Sequence, residues 1–397
     1  MKTHSLPIAA VLLLAASACR DETPSPTAPG PDPSVAAAAP LSFLQVDAGI
    51  EHACGLAADG KAWCWGANQF GELGIPPEDS PHPCSSRPCA LRPVAVSGTL
   101  RFRQIEAGSH VTCGLTTADE AYCWGANDGG QLGSGSTVAF SSTPQKVAGG
   151  RKYREVQVGL GNMSCAISAA RDAFCWGAGR LGNGINGIRR SPVKVSGDRD
   201  WVALAVGSGY ACGTTTVNET WCWGINNRGQ LGDGTITART TPVRAALGFA
   251  LAKIEAGGST TCGLLADGKA LCWGDGVATG EGRGPGRTLK PVAVSGTRKW
   301  DNLGIGSLHA CGVTLAGRGL CWGMGVNGGL GNGSVADRFT PVRVSGDILF
   351  QAISAGFVFS CGLAEDGKAW CWGDNTNGQL GDGTEEVRLA PVPVAAP

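Results

Sequence analysis

The residues best equipped for chemistry in this chain are thiols. Its 397 residues include 17 cysteines, 12 tryptophans and only 5 histidines. Seven leading cysteines, Cys54, Cys113, Cys165, Cys212, Cys262, Cys311 and Cys361, are each followed ten residues later by a partner, Cys64, Cys123, Cys175, Cys222, Cys272, Cys321 and Cys371. Cys84 and Cys89 form a closer pair, and Cys19 is left over. Zinc sites place their cysteines two to four residues apart. A separation of ten, with no histidine in step, does not supply such a site. Ten residues does suit two antiparallel strands joined by a three-residue turn, which sets the cysteines directly opposite one another. There the Cα atoms lie about 4.5–5.5 Å apart, a span a disulfide bridges. Each bridge contributes roughly 3 kcal/mol on the loop-entropy account. Eight disulfides predict an oxidising compartment.

The remaining chemical inventory is thin. His52, His110 and His309 stand two or three residues before a leading cysteine, and read as hydrogen-bonding turn residues rather than metal ligands. Asp59, Asp267 and Asp366 recur beside Gly in turns, as turn chemistry requires. The Gly232-Asp233-Gly234-Thr235 and Gly381-Asp382-Gly383-Thr384 phrases lack the ligand series of a calcium loop. No phosphate loop, nucleophile elbow or H-E-x-x-H motif is present. No catalytic residue, metal site or cofactor is expected, so the chain reads as a binding protein and not an enzyme. Lys plus Arg and Asp plus Glu are 32 each, which argues against nucleic acid or an anionic membrane surface as partner.

The elements that hold these cysteines repeat. Leading cysteines are spaced 59, 52, 47, 50, 49 and 50 residues apart, a blade-sized period for a β-propeller. The prediction is an all-β, seven-bladed propeller of four-stranded blades over 41–397. Each repeat reads as a Pro-led strand (Pro93-Val94-Ala95-Val96), an alternating run ending in Gly (Gln104 to Gly108), a Cys-Gly-Leu strand and a Cys-Trp-Gly strand. The turn between the last two needs a left-handed residue at its third position. The occupants are Gly60, Asp119, Arg171, Asn218, Gly268, Gly317 and Gly367, of which Arg171 fits least well. The array opens at Leu41 without a Pro-led strand and ends on one, Pro391 to Val394. The C-terminal strand is therefore expected to pair with the N-terminal blade and close the ring. The tryptophans of the Cys-Trp-Gly phrases are expected between blades.

Ahead of the array, residues 1–18 read as a signal peptide: Lys2, an apolar run from Leu6 to Ala16, then small residues. Ala16-Ser17-Ala18-Cys19 fits an ordinary A-x-A cleavage site. It also resembles a bacterial lipobox, in which Cys19 is lipidated. The second reading is favoured because it uses the odd cysteine. Residues 19–40, rich in Pro and Ala, are expected to be a disordered tether. The expected location is the cell envelope, as an outer-membrane or surface lipoprotein held by the lipid alone; a soluble secreted monomer is the alternative.

The residues also carry a family likeness. His52-x-Cys54-Gly55-Leu56-x-x-Asp59-Gly60-x-x-Trp63-x-Trp65-Gly66-x-Asn68-x-x-Gly71-x-Leu73-Gly74 resembles the regulator of chromosome condensation repeat. So does Asp366-Gly367-x-x-Trp370-x-Trp372-Gly373-x-Asn375-x-x-Gly378-Gln379-Leu380-Gly381. The likeness spans 41–397, with blade five lacking the G-Q-L-G phrase, and implies a seven-bladed propeller. The namesake is a nuclear exchange factor for a small GTPase, a remote analogy for an exported chain. An exported propeller that inhibits β-lactamases is similar in compartment.

Strand direction places the Cys insertion (75–92), the loops before each leading Cys and the crossovers after each Cys-Trp-Gly on one face. Tyr210, Leu308, Phe357 and Phe359, with Phe70 and Arg228 from the crossovers, are the candidate binding residues, along with Ile50, Leu160, Met163, Asn127, Asn226, Asn227 and Asn375. They either converge on a rim that recognises a protein or glycan, or pack between blades. The leading function is a non-catalytic envelope binding scaffold; the alternative is inhibition of a secreted or periplasmic enzyme.

Overall fold

The structure is a computed structural model, and it describes residues 41–397. The signal peptide, Cys19 and tether lie outside the described residues. Seven antiparallel sheets follow one another along the chain, spanning 43–95, 102–146, 153–194, 201–244, 253–293, 300–343 and 350–393. The blade order along the chain is inner strand, second strand (Cys-Gly-Leu type), third strand (Cys-Trp-Gly type), outer strand. In blade 1 these are Phe43–Ala48, His52–Ala57, Ala62–Ala67 and Arg87–Ala95, and a short strand His82–Cys84 pairs outside them.

The cysteine register is the expected one. Cys54 faces Cys64, and the same pairing recurs in every blade. All seven pairs are bonded, with Cα atoms 4.0–4.1 Å apart. Cys84 and Cys89 form the eighth bridge, at 5.7 Å. The turn residues adopt positive φ throughout: 79° at Gly60, 61° at Asp119, 66° at Arg171 and 62° at Asn218. Arg171 accepts the left-handed conformation that glycine takes freely, and its carbonyl accepts a hydrogen bond from Trp201 N–H at 2.9 Å.

The closure expectation is corrected. The Pro-led strand ends its own repeat: Val94 pairs with Cys64 and Val392 with Cys371. The C-terminal strand Arg388–Pro393 is thus the outer strand of blade 7 and does not pair with the N-terminal blade. Repeat spacing is blind to where a unit starts, and antiparallel strands in sequence pair preferentially with their neighbours. Every blade is complete in itself, so the ring closes by packing one blade face on the next.

That packing is the core. Phe43, Val46, Ala53 and Trp65 of blade 1 pack on Phe359, Cys361, Leu363 and Leu380 of blade 7. All seven Cys-Trp-Gly tryptophans are buried. Glycine is required where the inner strands end: a Cβ at Gly49, Gly159, Gly306 or Gly356 would collide with the carbonyl oxygen of Gly108, Gly207, Gly356 or Gly49 on the following blade. Gly356 against Gly49 completes the circle.

Candidate functional site

Three regions of the ring hold polar groups capable of recognition: the seams between blades, the central channel and the loop face. The seams are built from the residue two before each leading cysteine and the residue one before the next blade's. In the seam between blades 6 and 7, His309 Nε2–H donates to Ser360 Oγ (2.7 Å), and Ser360 O–H donates to Gly329 O (3.1 Å). Trp372 Nε1–H donates to the same carbonyl at 3.0 Å. Between blades 1 and 2, His52, Thr112, Glu72 O and Trp124 repeat the arrangement at 2.9, 2.8 and 2.9 Å. The histidines are therefore ties between blades, not turn residues. Burial pushes His309 down to about 4, and burial plus the charge of His110 pushes His52 down to about 3, so both are neutral.

The channel is lined by the third and fifth residues of the inner strands. Gln45 accepts from Ile105 N–H (3.1 Å) and donates to Ile105 O (2.6 Å); Gln104 does the same to Val156 at 3.2 and 2.8 Å. Each amide clips one inner strand to the next. Asp47 accepts from Ser354 O–H (2.6 Å) and Ala107 N–H (2.7 Å), tying blades 7, 1 and 2 together. Asp47, Glu106 and Glu255 line a cavity of about 240 Å³, and Glu155 lies near enough for its charge to act on Glu106 and Glu255. Burial is the first cause of their high proton affinity: Asp47 is pushed up to about 6, Glu155 to about 7 and Glu255 to about 8. Burial and the Asp47 carboxylate raise Glu106 well above the carboxylate range.

Sequence reasoning finds no convergent carboxylates, yet the closed ring converges four. The available signal is a carboxylate on the alternating polar positions of the inner strands: Asp47 and Glu106 at the fifth, Glu155 at the third, and Glu255 at the third of the shorter strand Lys253–Gly257. Asp47 has its oxygens committed to Ser354 and Ala107, so it acts as a fastener. No group of three or more His, Cys, Asp or Glu side chains able to hold a metal occurs among the described residues.

On the loop face the structure separates the candidates. Phe357 is 41 % exposed, and Leu308 is half-buried on the neighbouring blade. Phe70 packs edge-on against His110 (5.3 Å), whose Nδ1 lies 3.4 Å from Glu72; that hydrogen bond raises the His110 pKa. Arg228 is exposed, 3.5 Å from Asp275. Val326, Ile225 and Ile185 add exposed apolar side chains on this face. Two candidates are corrected. Tyr210 is fully buried, its hydroxyl donating to Thr260 O at 2.6 Å, and Phe359 is fully buried in the seam between blades 7 and 1. Both stand at the strand's first position, where the side chain turns toward the next blade. Met163 is buried likewise. Asn127, Asn226 and Asn375 are buried too: each accepts from the backbone N–H five residues on (Leu132, Leu231, Leu380) and so folds its own crossover. The Asp233 and Asp382 carboxylates bind Arg239 and Arg388, at 2.9 and 2.8 Å, within those crossovers.

Comparisons with known proteins agree with this architecture. A profile described as RCC1-like domain matches residues 21–361, and two described as Regulator of chromosome condensation (RCC1) repeat match 350–379 and 366–397. Human E3 ubiquitin-protein ligase HERC2 is 29 % identical over 191 residues, 46 % of this chain and 4 % of that protein. Ultraviolet-B receptor UVR8 of Arabidopsis thaliana is 29 % identical over 165 residues, 41 % of this chain and 34 % of the receptor. The chain thus spans 34 % or less of these relatives' length. Among solved structures, human WBSCR16 superposes with TM-score 0.74 at 20 % identity, covering 82 % of this chain and 88 % of that one. Prp20p of Saccharomyces cerevisiae gives 0.73 at 20 % identity, covering 89 % and 88 %. These likenesses show the fold.

Proposed function

This chain belongs to the RCC1-like domain family, and from that premise we propose that it is an exported, non-catalytic propeller that binds a protein through its loop face. The observation that carries the reading is the grouping of Phe357, Val326 and Leu308 on adjacent loops of blades 6 and 7, above blades each stapled internally by a disulfide and a seam filled by the buried Trp372. Exposed aromatic and aliphatic groups on a rigid support lose little entropy on binding. The solved Prp20p structure is titled for that protein's binding properties to Gsp1p and histones, which supports protein recognition by a propeller of this kind. The neutral net charge disfavours nucleic acid.

Eight disulfides point to an oxidising environment. No helix among the described residues is long and apolar enough to cross a membrane. Envelope attachment through a lipidated Cys19 completes the proposal, and a Cys19→Ser variant should then leave the membrane fraction. For binding, a photo-cross-linking residue replaces Phe357 in one variant and Val217, on the opposite face, in another. One protein cross-linked from position 357 but not from 217, and lost when Val326→Asp is added, supports the reading. Equal cross-linking from both faces, or none from 357, overturns it.

A further inference from the structure

The face opposite the loops, where the hairpin turns lie, differs in one blade. In each of the other blades one of two sequence positions at this end holds an aromatic residue. The residue before the Cys of Cys-Trp-Gly is Trp63, Tyr122, Phe174, Trp221 or Trp370 in blades 1, 2, 3, 4 and 7. Blade 5 has Leu271 there, with Phe249 supplied by the incoming chain. Blade 6 has Leu320 and no aromatic at either position.

The arginine that would stack on the ring has been kept. Blades 3, 4 and 6 each enter through Gly-x-Arg, with the guanidinium set against that glycine. Arg151 lies over Phe174 at 4.3 Å, and Arg199 over Trp221 at 3.8 Å. Arg298 takes the same place against Gly296 with no ring beneath it, and it makes no hydrogen bond or ion pair among the described residues. In its stead is a cleft of about 470 Å³ floored by the buried Leu320, with the exposed Leu315 at its edge. Lys299, Arg318 and Arg343 complete a cationic rim. One carboxylate, Asp347, serves both Arg343 (2.6 Å) and Arg318 (3.6 Å), and Asp267 serves Lys299 (3.0 Å). In blade 4 the positions of Lys299 and Arg318 are held by Asp200 and Glu219, the opposite charge.

We infer that the blade 6 cleft binds a small aromatic anion. Its ring occupies the place the aromatic side chain holds in the other blades, between Leu320 and the Arg298 plane. Its carboxylate or other anionic group meets the cationic rim. An apolar floor, a stacking guanidinium and convergent cations are the features that recognise such a molecule.

The test titrates the full chain with 2-naphthoate by calorimetry. Saturable one-to-one binding is expected. Leu320→Trp, which installs the ring of blades 1, 4 and 7, should weaken it at least about tenfold without lowering the melting temperature, and Arg298→Gln should weaken it about tenfold through the lost stack and charge. Should Leu320→Trp fold poorly, Arg298→Gln decides. The inference fails if wild type shows no saturable binding, or if Arg298→Gln or a folded Leu320→Trp variant binds as well as wild type. It also fails if neutral 2-naphthalenemethanol or aliphatic octanoate binds equally. Phe357→Asp should leave naphthoate binding unchanged, so this site and the loop-face reading stand or fall separately.

Discussion

The seam between blades 6 and 7 and the seam between blades 3 and 4 solve one packing problem differently. Both bury a tryptophan completely, Trp372 and Trp223. In the first, His309, Ser360 and the Trp372 indole converge on Gly329 O. In the second the corresponding pair is Met163 and Ala211, and Trp223 Nε1–H has no partner. The cause is local. From Trp176 to Leu181 the crossover of blade 3 is three residues shorter than from Trp322 to Leu330, and the third and outer strands continue as a long hairpin, Ala173–Arg180 with Asn186–Lys194. The residue whose carbonyl would receive the indole, Arg180, is held in that hairpin opposite Asn186 and does not bond it. A buried polar group in these seams is satisfied either by a side chain of the next blade, as at His52–Thr112 and Tyr210–Thr261, or by backbone, as Ser164 is by Gln131 O; the blade 3–4 pair is apolar on both sides.

The largest expected effect sets the two seams equal. Trp372→Ala and Trp223→Ala should each cost about 3–5 kcal/mol in denaturant unfolding, since both leave a large cavity. A loss below about 1 kcal/mol at Trp223 would show that its seam is not packed. Next, Ser360→Ala alone should cost about 1–3 kcal/mol, because His309 Nε2–H loses its acceptor in a buried site. The double variant His309→Met with Ser360→Ala copies the blade 3–4 filling and should be less destabilised than the single one. If it is worse, the pairs are not interchangeable units.

A smaller difference should separate the indole groups. Trp372→Phe should exceed Trp223→Phe by about 1 kcal/mol, the net worth of a made hydrogen bond. Equal losses would mean that Trp223 has found a partner.

The two seams should also respond to pH with opposite sign. His309, held near 4 against an ordinary value of 6.5, binds its proton more readily unfolded. Its seam loses stability as pH falls from about 6.5 towards 4. Glu155 reaches Leu204 N–H across the blade 3–4 seam at 3.4 Å, and its folded value of about 7 lies above the ordinary 4.5. That seam loses stability as pH rises from about 4.5 to 7. Glu155→Gln supplies the amide that Gln45 and Gln104 use in blades 1 and 2, so it should raise the melting temperature at pH 8 and do little at pH 4. A pH-independent effect would break the contrast.

The blades were legible because their signals are short-range. A ten-residue cysteine separation, a turn with a left-handed third residue and a strand alternating towards Gly state pairing and register within about fifteen residues. A period carries no origin, so the spacing alone puts the Pro-led strand at the wrong end of its repeat. Tyr210 and Phe359 look like rim candidates in the sequence because their position, first in a strand, reads the same whether it faces solvent or the next blade.

The amino-acid sequence by itself determined the strands, the eight disulfides and the count of seven blades, through hydrogen bonding and covalent geometry among near neighbours. Only the closed ring decided what meets across it. Ser354 reaches Asp47 from 307 residues away, and histidines meet hydroxyls 60 and 51 residues on. Four carboxylates distributed over four repeats come near one another around the ring axis, where burial raises their proton affinity. These contacts depend on the curvature set by seven packed faces, a property that no single repeat contains.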